Sequence, residues 1–326
     1  MTKDLVLRSA FANEITGFIS EKQAVGYNYC KESKRLKKFD DYVLNSSKSE
    51  PVLTKEIVLG WTKRIEYEAK STQHGRISVI RGLAEYMARI GKVAYIYPKG
   101  TDSLERYYYS PYIFSETEIT AIFRVSDNYV KSDTSPHRHL MLPLIIRILY
   151  CCGLRISEVT NLNVAAVNLT DGTINVKGAK FGKERLIPMS DNLTKRCREY
   201  SGKVLIGRPL DAFFFPSPYN GHYDSNTVYC HFRKILWEAG ISHTGKGPRL
   251  HDFRHTFAVH CLKKWVLTGL DLTNCLPYLS VYLGHEDMRG TQHYLRLTAD
   301  LYPDIIEKVE KSCAWMIPEV NIDETD

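Results

Sequence analysis

Six residues in the second half of the chain carry side chains suited to breaking a phosphodiester, each inside a short phrase. Arg155 lies in Gly153-Leu154-Arg155-Ile156-Ser157-Glu158 and Lys180 in Gly178-Ala179-Lys180-Phe181-Gly182-Lys183-Glu184-Arg185. His251 and Arg254 share His251-Asp252-Phe253-Arg254-His255, His285 ends Leu283-Gly284-His285, and Tyr294 ends Thr291-Gln292-His293-Tyr294. A tyrosine oxygen can attack phosphorus in line and hold the broken end covalently, and phenolate leaves well enough to allow rejoining. The negative charge that spreads over the non-bridging oxygens calls for preorganised guanidinium forks, the role open to Arg155 and Arg254. The departing oxygen needs a proton, which a lysine can supply, and an imidazole near neutrality can accept the phenolic proton or hydrogen-bond the phosphate.

Each assignment competes with a plainer one. Arg155 follows an apolar stretch, Leu140 to Cys152, where a permanent charge is a poor choice for burial; the ordinary alternative is a surface arginine paired with Glu158. Arg254 stands three residues after His251, so the two project from one side of a helical turn. Histidines outside a motif are ordinarily satisfied core residues, and His255 and His293 are assigned that status.

The spacing argues against a metallonuclease or an ATP-driven enzyme. There is no H-E-x-x-H, no Cys/His quartet, no acidic cluster beside the phrases and no glycine-rich phosphate loop. Two arginines and a lysine already supply positive charge, so no cofactor and no metal is expected.

Any one phrase arises by chance in many chains, but five in this order resemble the tyrosine recombinase (phage integrase) family over roughly residues 110 to 300. The resemblance implies that Tyr294, nine residues after His285, is the nucleophile in preference to Tyr282 or Tyr302. Matching Lys183-Glu184-Arg185-Leu186-Ile187-Pro188 to the family's hairpin puts the catalytic lysine at Lys180. Turn insertions could shift that register, so Lys183 stays open as the catalytic lysine; Lys177 and Lys183 are also candidates for contacting backbone phosphate. His251 is the expected proton acceptor and His285 the expected phosphate ligand. The resemblance further implies a 3′-phosphotyrosine, a free 5′-hydroxyl that attacks the partner strand, and a homo-tetramer exchanging strands between two duplexes through a Holliday junction. Integration or excision of a mobile element would be its use, with room for an accessory or directionality protein. A type IB topoisomerase-like relaxing enzyme and a catalytically silent DNA-binding accessory protein are the rival readings.

The elements that must position these residues read as α+β, mostly α. A helical DNA-binding (core-binding) domain is expected over 1–106, a linker over 107–116, a catalytic domain with a small β-hairpin over 117–300, and over 301–326 a tail that docks on a neighbouring protomer. The first hundred residues show helical spacing, as in Leu36, Phe39, Val43 and Ile77, Ile80, Leu83, Met87, and read as about four helices, the third capped near Thr54. Ser115-Glu116-Thr117-Glu118 starts a helix in the manner of a capping box. Strands are expected at Thr173 to Lys177 and Glu184 to Met189 and helices from Asn226 onward; against the family it resembles, the stretch from His251 to His285 is longer than usual, which implies an extra turn or loop at Lys263 to Asp271.

At 326 residues and 44% hydrophobic composition, the chain can build two cores. No apolar run reaches the roughly 18 to 20 residues of a membrane span and no signal segment opens the chain, so a cytoplasmic protein without membrane contact is expected. Eight cysteines without metal-type pairs read as reduced, mostly buried thiols. The net charge of +7 divides unevenly: counting Lys and Arg against Asp and Glu, residues 1–110 and 111–300 each carry +6 and residues 301–326 carry −5. Two basic stretches suit a polyanion, because neutralising phosphates releases condensed counterions, and double-stranded DNA is the expected partner. Lys31, Lys34, Arg35 and Lys38, at i, i+3, i+4 and i+7, form a basic stripe opposite Leu36 and Phe39 that could lie along a DNA backbone. Solvated helix faces of this kind are common, and the rest of the chain tilts the stripe toward DNA.

Overall fold

The computed structural model describes residues 5–45, 50–100, 111–177, 184–244, 247–285 and 289–301. The chain divides into two compact units, Met1–Tyr109 and Ser110–Asp326.

The first unit has four helices: α1 (Ala12–Ala24), α2 (Cys30–Leu44), α3 (Lys55–Thr62) and α4 (Lys70–Arg89). Their apolar stripes meet in one core that includes Phe11, Phe18, Leu36, Phe39, Leu83 and Met87. The Thr54 hydroxyl caps α3 by accepting from the Ile57 amide. Asp40, fully buried on α2, accepts the backbone N–H groups of Arg8 and Ser9 and so ties the entering chain to that helix.

The second unit begins with α5 (Glu116–Asp127), whose start is a complete capping box: Ser115 Oγ accepts from the Glu118 amide and the Glu118 carboxylate accepts from the Ser115 amide. Next come α6 (Arg138–Cys151) and α7 (Ile156–Thr160), then the strands β1 (Val167–Asn168), β2 (Thr173–Val176) and β3 (Arg185–Pro188). The helices α8 (Asp191–Val204), α9 (Ser225–Glu238), α10 (Asp252–Leu267), α11 (Leu272–Leu283) and α12 (Arg289–Leu301) complete it. The three strands form an antiparallel sheet in sequence order. Its register pairs Ile174 with Ile187 and Val176 with Arg185, and Ile174, Val176 and Ile187 are buried on the core face. Helix α6 is buried along most of its length and packs against α5, α8 and α10. Arg147, the charge inside that apolar helix, is forked onto Asp127 of α5 at 2.7 and 2.6 Å.

Several expectations need correcting. Helix α10 runs to Leu267, so Lys263 to Leu267 belongs to its last turns and only Thr268 to Asp271 forms a connection. Helix α8 and the two-residue strand β1 were not anticipated. The α8 segment is strongly polar and declares itself only through Leu193, Cys197, Tyr200 and Val204, buried at helical spacing. The cysteines are not mostly buried: of the seven described, Cys152 and Cys197 are buried, Cys261 and Cys275 are half-buried, and Cys30, Cys151 and Cys230 are exposed. All seven are free thiols. No helix among the described residues is long and apolar enough to cross a membrane.

The join between α6 and α7 fixes where Arg155 stands. Gly153 has φ +59°, and a Cβ there would come within 2.5 Å of the Phe257 ring on α10. Gly153→Ala is therefore expected to destabilise the protein by about 2 to 4 kcal/mol, combining left-handed strain with overpacking. Thermal melting should register this as a drop of several degrees, at roughly 2 to 4 °C per kcal/mol for a unit of this size; an unchanged melting temperature would refute the account.

Candidate active site

The site forms where the ends of α6 and α11 meet the start of α10. Arg254, in the first turn of α10, is 1% exposed, an unusual condition for a permanent cation. Its guanidinium donates to the carbonyl of Gly153, 2.9 Å away and just past α6, and to the carbonyl of Leu283, the last residue of α11. Both acceptors lie at helix C-termini, where orphan carbonyls and the negative end of the helix dipole favour a cation. Its burial is thus compensated chiefly by backbone carbonyls, with no carboxylate in direct hydrogen-bond contact among the described residues.

Arg155 is the N-cap residue of α7, and its side chain is 37% exposed. Glu158 holds it at two points, Oε1 accepting from Nη1 at 2.9 Å and Oε2 from the backbone N–H at 2.9 Å. The plainer expectation of a pair with Glu158 is therefore met. The same guanidinium also lies close enough to act electrostatically on Arg254, His251 and Tyr294.

Tyr294, on α12, is 3% exposed, and its hydroxyl is within hydrogen-bonding reach of Arg254. Burial raises its pKa, while the charge and hydrogen bond of Arg254, and then Arg155, pull the other way; the net direction is up, so the resting phenol keeps its proton. The His285 ring stacks on Tyr294 at 6.0 Å between centroids, and its Nδ1 is 2.8 Å from the Thr291 hydroxyl, which fixes the ring's orientation. Rivals for the nucleophile fare differently: the Tyr282 ring stacks on Phe257, and Tyr302 lies outside the described residues.

His251 is the N-cap residue of α10, with an exposed edge and an inner side packed against His255, their centroids 4.8 Å apart. His255 in turn lies 5.5 Å from Tyr294. Expected to be an ordinary core histidine, His255 instead belongs to this cluster, and its Nδ1 is buried without a hydrogen-bond partner. Besides Glu158, one further residue, Arg185, joins the site unannounced. Glu158 bridges Arg155 to Arg185 of β3, whose Nη2 is 2.7 Å from Glu158 Oε2. The helical i+4 step from His251 to His255 was readable in the sequence; the Arg185 contact across 27 residues had no local signal.

The structure therefore brings Arg155, His251, Arg254, His285 and Tyr294 together. Lys180 and Lys183 lie outside the described residues, and Lys177 is exposed after β2. In the first unit Lys31, Lys34 and Lys38 are exposed along α2 as the stripe requires, while the Arg35 guanidinium packs over Gly75 of α4, where a Cβ would approach it to 2.7 Å. Among the described residues no group of His, Cys, Asp and Glu could hold a metal ion.

The arrangement can stabilise an anion at the two guanidiniums and offers neutral imidazoles as proton acceptors. Lost hydration, followed by Arg254 and Arg155, takes the His251 pKa down to about 4. Lost hydration, followed by His251 and His293, takes His255 down to about 3. Both folded values lie below the unperturbed 6.5, so the unfolded chain binds these protons first. Stability is then complete above pH 6.5 and declines as pH falls from there toward 4. Urea unfolding across that window should show a shallower decline for His255→Gln than for the parent; identical slopes would contradict the shift.

The fold and the site can be set beside known proteins. The Phage integrase family model matches residues 113–300. The tyrosine recombinase XerD of Pseudomonas aeruginosa is 31% identical over 251 residues, covering 76% of this chain and 78% of that protein. Among solved structures, the Tn1549 transposon integrase in complex with transposon right end DNA aligns with a TM-score of 0.61 at 16% identity, covering 94% of this chain and 100% of that one. XerH site-specific recombinase bound to a palindromic difH substrate aligns with a TM-score of 0.59 at 17% identity, over 88% of this chain and 79% of that one. The long family match, the XerD-like sequence and the common fold make this chain a member of the phage integrase family, a tyrosine recombinase.

Proposed function

We propose that this tyrosine recombinase cuts and rejoins duplex DNA at a specific site through a 3′-phosphotyrosine on Tyr294, in the service of integrating or excising a mobile element. The observation that carries the reading is the buried Tyr294 hydroxyl beside Arg254, with Arg155 close by and histidine rings on two sides. In this reading the two guanidiniums take the non-bridging oxygens, the neutral imidazole of His251 accepts the phenolic proton and His285 ligates the phosphate. The leaving 5′-oxygen is protonated by Lys180, or by Lys183 if the hairpin register is shifted. The freed 5′-hydroxyl then attacks the phosphotyrosine of the partner strand, so the bond energy is retained and neither metal nor ATP is consumed. Four protomers on two duplexes would exchange strands in pairs through a Holliday junction, with residues 301–326 docking on a neighbour. An accessory or directionality protein could bias the outcome, and DNA chemistry of this kind belongs in the cytoplasm.

Nicked duplexes drawn from the sequences flanking its own gene would trap the intermediate, because the short fragment past the nick is lost and rejoining fails. Covalent adducts are expected on particular flanks only, with the label on Tyr294, and Tyr294→Phe should bind those duplexes yet form no adduct. Adducts on every duplex would point to a topoisomerase-like relaxing enzyme. An adduct surviving in Tyr294→Phe would remove Tyr294 from its role, and binding without adducts from the parent would point to an accessory binder.

The α2 stripe has its own expected outcome. Replacing Lys31, Lys34 and Lys38 with alanine should weaken binding alike on specific and random duplexes and flatten the slope of log K against log salt by about one per lost phosphate contact. Fluorescence anisotropy at several salt concentrations measures this; an unchanged slope would return the stripe to an ordinary solvated face.

A further inference from the structure

Arg185 is out of place for a residue on a small sheet. It lies two positions from Ile187, so its side chain shares the buried core face of β3, and it is 8% exposed. Its Nε donates to the carbonyl of Tyr282 near the end of α11 at 3.0 Å, and its Nη2 meets Glu158 Oε2 at 2.7 Å. Its Nη1 is buried with no hydrogen-bond partner. A buried ion pair with an unsatisfied donor is a poor stabilising device, since apolar residues of similar volume commonly do as well or better. Its placement calls for another reason.

That reason is the shared carboxylate. Glu158, its side chain 10% exposed, accepts the Arg155 guanidinium on Oε1 and the Arg185 guanidinium on Oε2, which also takes the Arg155 backbone N–H. With both guanidiniums present the trio carries a net positive charge. Without Arg185, Glu158 and Arg155 would form a neutral pair in a region of low dielectric, and Arg155 would be bound to its own carboxylate more tightly than to an incoming phosphate. Resting on the reading of Arg155 as a phosphate ligand, we propose that Arg185 is a positioning residue: by drawing on the charge of Glu158 it keeps Arg155 available to the scissile phosphate. Its bond to Tyr282 sets it on the same helix end whose next carbonyl, that of Leu283, receives Arg254, so both phosphate-facing arginines are indexed to one backbone segment.

The test is a cycle on nicked duplexes from the flanks of its own gene, reading single-turnover adduct formation separately from DNA affinity. Arg185→Gln should slow adduct formation by about 10- to 100-fold, the range typical of a group that orients a ligand from behind, while DNA affinity stays unchanged. Arg185→Lys should recover most of the rate by restoring the charge. In a Glu158→Gln background, where the competing charge is gone, the further penalty of Arg185→Gln should shrink sharply. A purely structural role would give the same penalty in both backgrounds and no recovery by lysine, and either result overturns the proposal. Should Arg185→Gln fail to fold, Arg185→Lys decides: a folded lysine variant that has lost the rate as well would also overturn it. Parent adducts together with a fully active Arg185→Gln would defeat this inference alone, whereas no adduct from the parent would defeat the reading of the site on which it rests.

Discussion

Burial of the Arg254 guanidinium is the constraint around which the second unit is organised. A charge that cannot be titrated away must find acceptors wherever it is buried, and here they are two backbone carbonyls at the ends of α6 and α11. Those two helix ends are thereby held in a fixed relation to the start of α10. Everything else in the site follows from that junction: Arg155 comes two residues after Gly153, His285 two residues after Leu283, and His251 three residues before Arg254. Left-handed glycines at both junctions, Gly153 and Gly284, let the chain turn away immediately after each carbonyl is presented.

The electrostatics of the cluster favour negative charge. Arg155 and Arg185 both contact Glu158, and both act electrostatically on Arg254. Burial, and after it repulsion from neighbouring cations, lowers the Arg254 pKa to about 10, still well above neutrality, and holds the neighbouring imidazoles neutral. Tyr294 is kept protonated by its burial while the guanidiniums favour its anion. A phosphate entering the cluster would relieve the repulsion between cations and supply the missing hydrogen-bond acceptors together.

Much of this was legible in the sequence because its signals were local or ordered. The capping box at Ser115, the threonine cap at Thr54 and the apolar run that became α6 are short-range patterns, and helix formation follows them directly. The order of five phrases pointed to a shared site without giving its geometry. What could not be read depends on partners distant in sequence. Helix α8 carries so many charges that its buried side has meaning only once α6 packs against it. Lys263 to Asp271 looked like an extra turn or loop because the stretch from His251 to His285 is longer than the family's usual, yet Val266 is buried against the last helices and extends α10. Arg185 and His255 sat inside recognised phrases as bystanders, and only tertiary contacts reveal what each faces.

The entry of the chain into the second unit has a mechanical consequence. The backbone N–H of Phe114 donates to the Thr256 hydroxyl on α10 at 3.0 Å, and its ring stacks on Phe253, 5.0 Å between centroids, one residue before Arg254. Tension along the chain at residues 111–114 would therefore be shared between α5, through Tyr112 and Glu118, and the helix that carries His251 and Arg254. A load on that strap would reach Arg254 through a single turn of helix.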